Sequence, residues 1–150
     1  MEPLTAAQLE LVRSARRAVL ATIAPDGSPR LVPITFAIDV ATDSLLLYSA
    51  LDEKPKSVTD PRHLARARDI ADRPRVTVLI DRWSEDWPDL AWVRLQGTAR
   101  LVGPDQQDGT EHAHAIGLLR AKYPQYSGHA LERRPVIRVE VERATAWSAS

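Results

Sequence analysis

Ile137, Val139 and Val141 alternate with Arg138, Glu140 and Glu142, which predicts a strand with one buried and one wet face. Earlier in the chain, residues 19–23 form a short apolar run with β-branched positions and predict a buried strand. Pro25-Asp26-Gly27 follows as a turn, since Pro presets φ and Gly permits a positive one. Residues 30–38 are therefore expected to return antiparallel, as a hairpin. Pro33 lies inside that stretch and has no N–H for a ladder. The stretch should thus sit at an edge, at a bulge, or beside something other than a strand. After a turn at 39–43, residues 45–49 predict a third strand, 76–80 a fourth and 91–102 a fifth, with Gly97 marking a bulge.

Helical patterns punctuate the strands. Thr5 can cap a first helix, with Gln8 at capping-box spacing and Leu4 and Leu9 at staple spacing. Leu9, Leu11 and Val12 supply its apolar side, and Arg16 and Arg17 suit the negative end of its dipole. Asp60-Pro61 reads as a cap followed by Pro at the first position of a second helix, which carries Leu64, Ala65, Ala67 and Ile70 and stops at Pro74. Residues 111–122 predict a third helix, ended before Pro124. The result is six strands and three helices, of the α+β class. Short turns join the early strands, and no βαβ rhythm is present. A single-domain antiparallel β-barrel decorated with helices is the natural closure, because it removes exposed edges.

Composition narrows the chemistry. The chain has 150 residues, which fits one domain, 1–150. Twenty Lys and Arg balance twenty Asp and Glu, which excludes a global basic footprint for nucleic acid or anionic lipid. No cysteine is present, so disulfides, thiolate metal sites and cysteine nucleophiles are absent. Residues 1–17 contain no apolar run long enough for a signal peptide or a membrane span, and a cytoplasmic protein is expected. There is no Gly-x-Gly-x-x-Gly, no Walker loop and no Gly-x-Ser-x-Gly elbow.

Four features could carry chemistry, each with a plainer alternative. His112 and His114 are two apart, on different faces of a helix, and read as solvated side chains rather than metal ligands. Between residues 54 and 75 stand seven basic residues, Lys54, Lys56, Arg62, Arg66, Arg68, Arg73 and Arg75, against Asp60, Asp69 and Asp72. They form either an anion site, with Lys54 and Lys56 on a phosphate, or a solvated helix face. Trp83, Trp87 and Trp92 fall within ten residues of a polar connection, and are covered by an interface, by a flat ligand or by the core. Pro33 either frees backbone groups for a planar polar ring or marks a plain edge strand.

Taken in order, several segments resemble the flavin and deazaflavin split-barrel superfamily, the pyridoxamine 5′-phosphate oxidase-like proteins. They are Val19-Leu20-Ala21-Thr22-Ile23 with Pro25-Asp26-Gly27, Leu31-Val32-Pro33-Ile34-Thr35-Phe36, Lys54-Pro55-Lys56 and Arg73-Pro74-Arg75-Val76. Glu85-Asp86-Trp87, Trp92-Val93-Arg94 and Tyr123-Pro124-Gln125-Tyr126 continue the series. The likeness leans towards the actinobacterial enzymes that use coenzyme F-420. It implies a six-stranded split barrel that forms a homodimer, with cofactor sites at the interface.

The same resemblance implies that Val32, Pro33, Ile34 and Thr35 lie against a tricyclic ring, largely through backbone. It implies that Ser49, Lys54 and Lys56 hold a phosphate, and that Trp87 approaches the ring from across the interface. The expected activity is hydride transfer from reduced coenzyme F-420 to a small unsaturated acceptor. An FMN-dependent oxidase or reductase, or a non-catalytic flavin-binding protein, are the alternatives. No catalytic side chain and no metal are implied. Residues 142–150 lack the Arg-bearing motif with which pyridoxamine phosphate oxidases close on substrate, which argues against vitamin B6 oxidation.

Overall fold

A computed structural model describes residues 2–41, 43–51, 60–105 and 107–150. Seven strands form one antiparallel sheet: β1 (Ala18–Ile23), β2 (Pro29–Ile34), β3 (Ala37–Ala41), β4 (Ser44–Ala50), β5 (Arg75–Arg82), β6 (Ala91–Val102) and β7 (Val136–Ser148). Their order is β2-β1-β5-β6-β7-β4-β3. Three α-helices accompany them: α1 (Ala6–Ser14), α2 (Ala65–Asp72) and α3 (Gly109–Lys122).

The expected count of six strands is corrected to seven. The stretch 30–38 is not one strand, because it breaks at Thr35 and Phe36 into β2 and β3. These two strands are opposite edges of the sheet, yet only two residues join them. Three Cα steps span at most roughly 11 Å. The sheet must therefore roll until its edges meet at this corner. No ladder joins β2 to β3 among the described residues, so the roll is a barrel split along one seam.

Inward-facing residues fill the roll. Leu20, Val78, Ile80, Val93, Leu95, Leu47 and Val139 are wholly enclosed, with Phe36 from the corner. Helix α1 adds Leu11 and Val12 and touches β3, β5 and β6, strands from both halves of the sheet, so it lies across the roll. Its start is the capping box expected of Thr5 and Gln8: the Thr5 hydroxyl accepts from the Gln8 N–H at 3.2 Å, and the Gln8 side chain accepts from the Thr5 N–H at 2.9 Å. Asp60 opens a 3-10 turn (Pro61–His63) rather than an α-helix, and α2 begins only at Ala65.

Helix α3 packs Ala115, Ile116 and Leu119 on the outer side of β4 and β7, over Tyr48, Ala50 and Val136. Strand β4 is thus covered on both faces, which explains its unbroken apolar run, Leu45-Leu46-Leu47-Tyr48. Gly97 marks the expected bulge. The β6–β7 register shifts between Gln96 and Gly97, and a Cβ there would overlap the Glu140 carbonyl oxygen.

Candidate functional site

Strand β2 has β1 on one side and no strand on the other among the described residues, so Pro33 does lie in an edge strand. Val32 and Ile34 point into the roll opposite Leu20 and Ala18, while Pro33 faces out opposite Val19. Past the end of β2, backbone groups can no longer pair in a ladder and side chains take over. The Ser49 hydroxyl donates to the Thr35 carbonyl at 2.7 Å. The Thr35 hydroxyl is hydrogen-bonded to the Tyr126 hydroxyl at 2.6 Å. The Phe36 N–H donates to the Tyr123 hydroxyl at 3.1 Å, and that hydroxyl in turn donates towards the Phe36 and Arg16 carbonyls, each at 3.1 Å.

The structure therefore brings Val32, Pro33, Ile34, Thr35 and Ser49 together at one corner. Ser49 is buried, and its hydroxyl hydrogen is committed to the backbone of that corner. Lys54 and Lys56 lie outside the described residues. Trp87 begins a 3-10 turn (Trp87–Asp89) and is exposed. The ladders place its loop at the same end of the sheet as Thr35. Pro33, Val19, Leu79, Arg94 and Thr145 form one row across five strands, and Thr35, Asp81 and Trp92 lie two residues further in that direction.

The outer face carrying that row is uncovered among the described residues and partly apolar. Leu31 is 65% exposed, Trp83 68%, Trp87 66% and Trp147 47%. Trp92 sits opposite Trp147, and the Arg94 guanidinium lies 5.3 Å from the Trp92 ring centroid. A groove of about 330 Å³ runs between Leu79, Trp83, Trp92, Arg94 and Trp147. Core packing, one alternative for Trp83 and Trp87, does not hold within the chain.

Arginines of the basic segment are partly consumed by structure. Asp69 is buried and accepts from the Thr22 hydroxyl at 2.7 Å and from Arg30 Nε at 2.8 Å, with Arg73 Nη2 at 3.6 Å. Arg73 also donates to the Ile23 carbonyl at 2.8 Å, and Arg75 pairs with Glu142 at 3.2 Å. Burial raises the Asp69 pKa, but the hydrogen bonds from Arg30 and Thr22 and the arginine charges outweigh it and hold the carboxyl below its ordinary value. His112 is corrected as well. It is buried, not solvated, with Nε2 2.7 Å from the Arg134 carbonyl oxygen, because its side of α3 faces the sheet. His114 is exposed, 3.0 Å from Asp39.

A second constellation escapes a reading by motif. Arg16, Thr35, Tyr123, Gln125, Tyr126 and His129 line a cavity of about 330 Å³ beside the corner. Tyr123, Pro124, Gln125 and Tyr126 stand out in sequence as a segment, but nothing in it announces a pocket. Arg16 joins them only because the end of α1 and the end of α3 meet, where Arg16 Nη2 donates to the Lys122 carbonyl at 3.0 Å.

An antiparallel sheet rolled into a split barrel, with two helices against its core and a third on one outer side, has the architecture of the α+β split-barrel proteins. The chain belongs to the pyridoxamine 5′-phosphate oxidase family, whose sequence profile matches residues 4–148. No curated protein sequence matches it. Among solved structures, the conserved hypothetical protein Rv2991 from Mycobacterium tuberculosis is similar, with a TM-score of 0.70 and 21% identity over 98% of this chain and 86% of that one. An FAD-binding protein from Mesorhizobium loti has a TM-score of 0.63 and 20% identity over 95% and 92% of the two chains. A heme-binding protein from Mycobacterium smegmatis has a TM-score of 0.63 and 18% identity over 99% of this chain and 60% of that one. At these identities the likeness is one of fold. No helix among the described residues is long and apolar enough to cross a membrane.

Proposed function

We propose that this protein is an oxidoreductase that binds coenzyme F-420 along the outer edge of β2 and reduces a small unsaturated acceptor. Membership of the pyridoxamine 5′-phosphate oxidase family over residues 4–148 carries the reading, and an FAD-binding protein of the same fold supports it. The residues at hand suit a flat cofactor. No strand flanks the outer edge of β2 among the described residues, and Leu31 and Pro33 are exposed on it. Thr35 and Ser49 hold the end of that edge in shape, so a ring lying there meets a preorganised backbone. When bound, the reduced deazaflavin supplies the hydride. The chain supplies orientation, a dry face and phosphate anchorage. Ser49 contributes through the Thr35 carbonyl that it holds, and Lys54 and Lys56 are the phosphate ligands in this reading. Trp87 reaches the ring of a second copy in a homodimer of cytoplasmic location.

FMN is the second reading for the same edge, favoured by the FAD-binding relative. Spectral titration of the purified protein with F-420 and with FMN decides between them. Tight F-420 binding with hydride transfer to quinones or enones is expected. Peroxide production with bound FMN, and no F-420 activity, selects the oxidase. Lys56→Ala is expected to weaken binding of the preferred cofactor roughly ten- to a hundredfold, for about 1.5–3 kcal/mol of charge-assisted contact. Lys54→Ala should act in the same direction. Unaltered affinity in both folded variants removes the two lysines from the site.

A further inference from the structure

Two cations stand at the pocket beside the corner, Arg16 in its lining and Lys122 behind it, and neither pairs with a carboxylate among the described residues. Arg16 makes no ion pair among the described residues; its Cζ lies 4.6 Å from the Tyr123 ring centroid. Lys122 Nζ lies 3.8 Å from the Phe36 ring centroid and 5.4 Å from that of Tyr123, so both cations share the Tyr123 ring. Nζ is enclosed and has no hydrogen-bond partner among the described residues, and the same is true of His129 Nδ1. Arg120, the next cation along, is answered by Glu132. Burial first, and then the Arg16 charge, lower the Lys122 pKa to about 8. The Lys122 ammonium is the costly one, enclosed without a hydrogen-bond partner, while Arg16 is exposed at the pocket and can meet an anion from solvent.

We infer that this pocket binds a small planar carboxylate, at a site that adjoins the β2 edge through Thr35 and whose anchor, Arg16, is none of the residues assigned to the cofactor. Arg16 is the anchor, because a guanidinium fork matches a carboxylate in two parallel hydrogen bonds. Ring edges suit an unsaturated or aromatic acid, because Tyr123 and Tyr126 are almost wholly enclosed and show no open face. Tyr123 and Tyr126 meet edge to face with centroids 5.8 Å apart, and Tyr126 and His129 at 5.3 Å. A volume of about 330 Å³ is ample for a single ring and its carboxylate. The Thr35 hydroxyl, hydrogen-bonded to that of Tyr126, adds a polar edge to the cavity. Lys122 does not line the cavity. It acts through the Tyr123 ring and through the field it adds behind Arg16.

Sodium benzoate is the probe, titrated into the full-length isotope-labelled protein at constant ionic strength and followed by amide NMR shifts. Saturable shifts at Thr35, Tyr123, Tyr126 and His129 are expected, with benzamide at least tenfold weaker. Arg16→Gln should weaken benzoate about tenfold or more, and Arg16→Lys should recover part of the loss. Thermal melts confirm that both variants fold. Shifts that do not saturate, shifts centred elsewhere, equal binding of benzamide, or unchanged benzoate affinity in folded Arg16→Gln each overturn the proposal. Inorganic phosphate bound as tightly as benzoate by the same residues overturns the planar-carboxylate assignment in favour of an unselective anion pocket. None of these readouts depends on F-420 or FMN.

Discussion

Asp69 shows how a single side chain can be unremarkable in sequence and decisive in the fold. It belongs to a run of basic and acidic residues that reads as a solvated helix face, yet it is enclosed and joins α2 to β1 and β2 through Thr22 and Arg30. Replacing it with Asn keeps the shape but removes the charge that two hydrogen-bond donors and the Arg73 guanidinium address. Asp69→Asn should cost about 1–3 kcal/mol at neutral pH, measured by urea unfolding, since Arg30 and Arg73 are partly exposed and can turn to water. The pH dependence has a definite sign. The folded-state pKa is depressed, so the stabilisation is fully present above the ordinary Asp value near ~4 and is lost as pH falls through the folded value. The gap between wild type and Asp69→Asn should therefore close in acid. A gap that stays constant from neutral pH to about pH 3 would show that the carboxylate charge is not what Asp69 contributes.

At the scale of elements, the two-residue corner between β2 and β3 carries the most consequence. Its backbone groups depend on hydroxyls from β4 and from the end of α3, because the ladder has stopped. Tyr123→Phe leaves the Phe36 N–H without its partner in a fully enclosed position. A loss of about 1–3 kcal/mol is expected, with faster hydrogen exchange at the Phe36 amide. Tyr126→Phe should cost at most about 1 kcal/mol, since the Thr35 hydroxyl is only partly buried and can find water. Equal losses in the two variants would mean that the Phe36 N–H is not the critical group.

Assembly belongs to the whole molecule. Helix α3 covers the outer side of β4 and β7, α1 and α2 pack against the barrel core, and no described element covers the outer face of β2-β1-β5-β6. Leu31, Leu79, Trp83, Trp87 and Trp147 are exposed on that face or at its end. Contiguous apolar exposure of this kind marks an interaction surface. A homodimer through this face is expected in sedimentation at micromolar concentration. Leu79 lies mid-row, so Leu79→Glu should shift the protein to monomer with unchanged circular dichroism. A wild-type monomer would remove the interface and Trp87's place in it.

Local rules determined much from sequence alone. The Thr5–Gln8 capping box, the Gly97 bulge and the alternation of β7 each depend on residues close in the chain or on backbone stereochemistry, and all are present in the structure, while of the three places open to Pro33 the fold chose the edge strand. Of the family segments, Pro25-Asp26-Gly27 and Glu85-Asp86-Trp87 lie in connections between strands and residues 31–36 run past the end of β2, where local stereochemistry also rules. What tertiary structure decided was where distant residues meet. Nothing near Thr35 predicts that the strand breaks there, because the break is dictated by the roll of a sheet whose outermost strands adjoin in sequence. His112 looks solvated until α3 is laid on the sheet. Arg16 and Tyr123, 107 positions apart, share one pocket because two element ends converge. Contacts of that range are set by packing the whole barrel, and no window of sequence contains them.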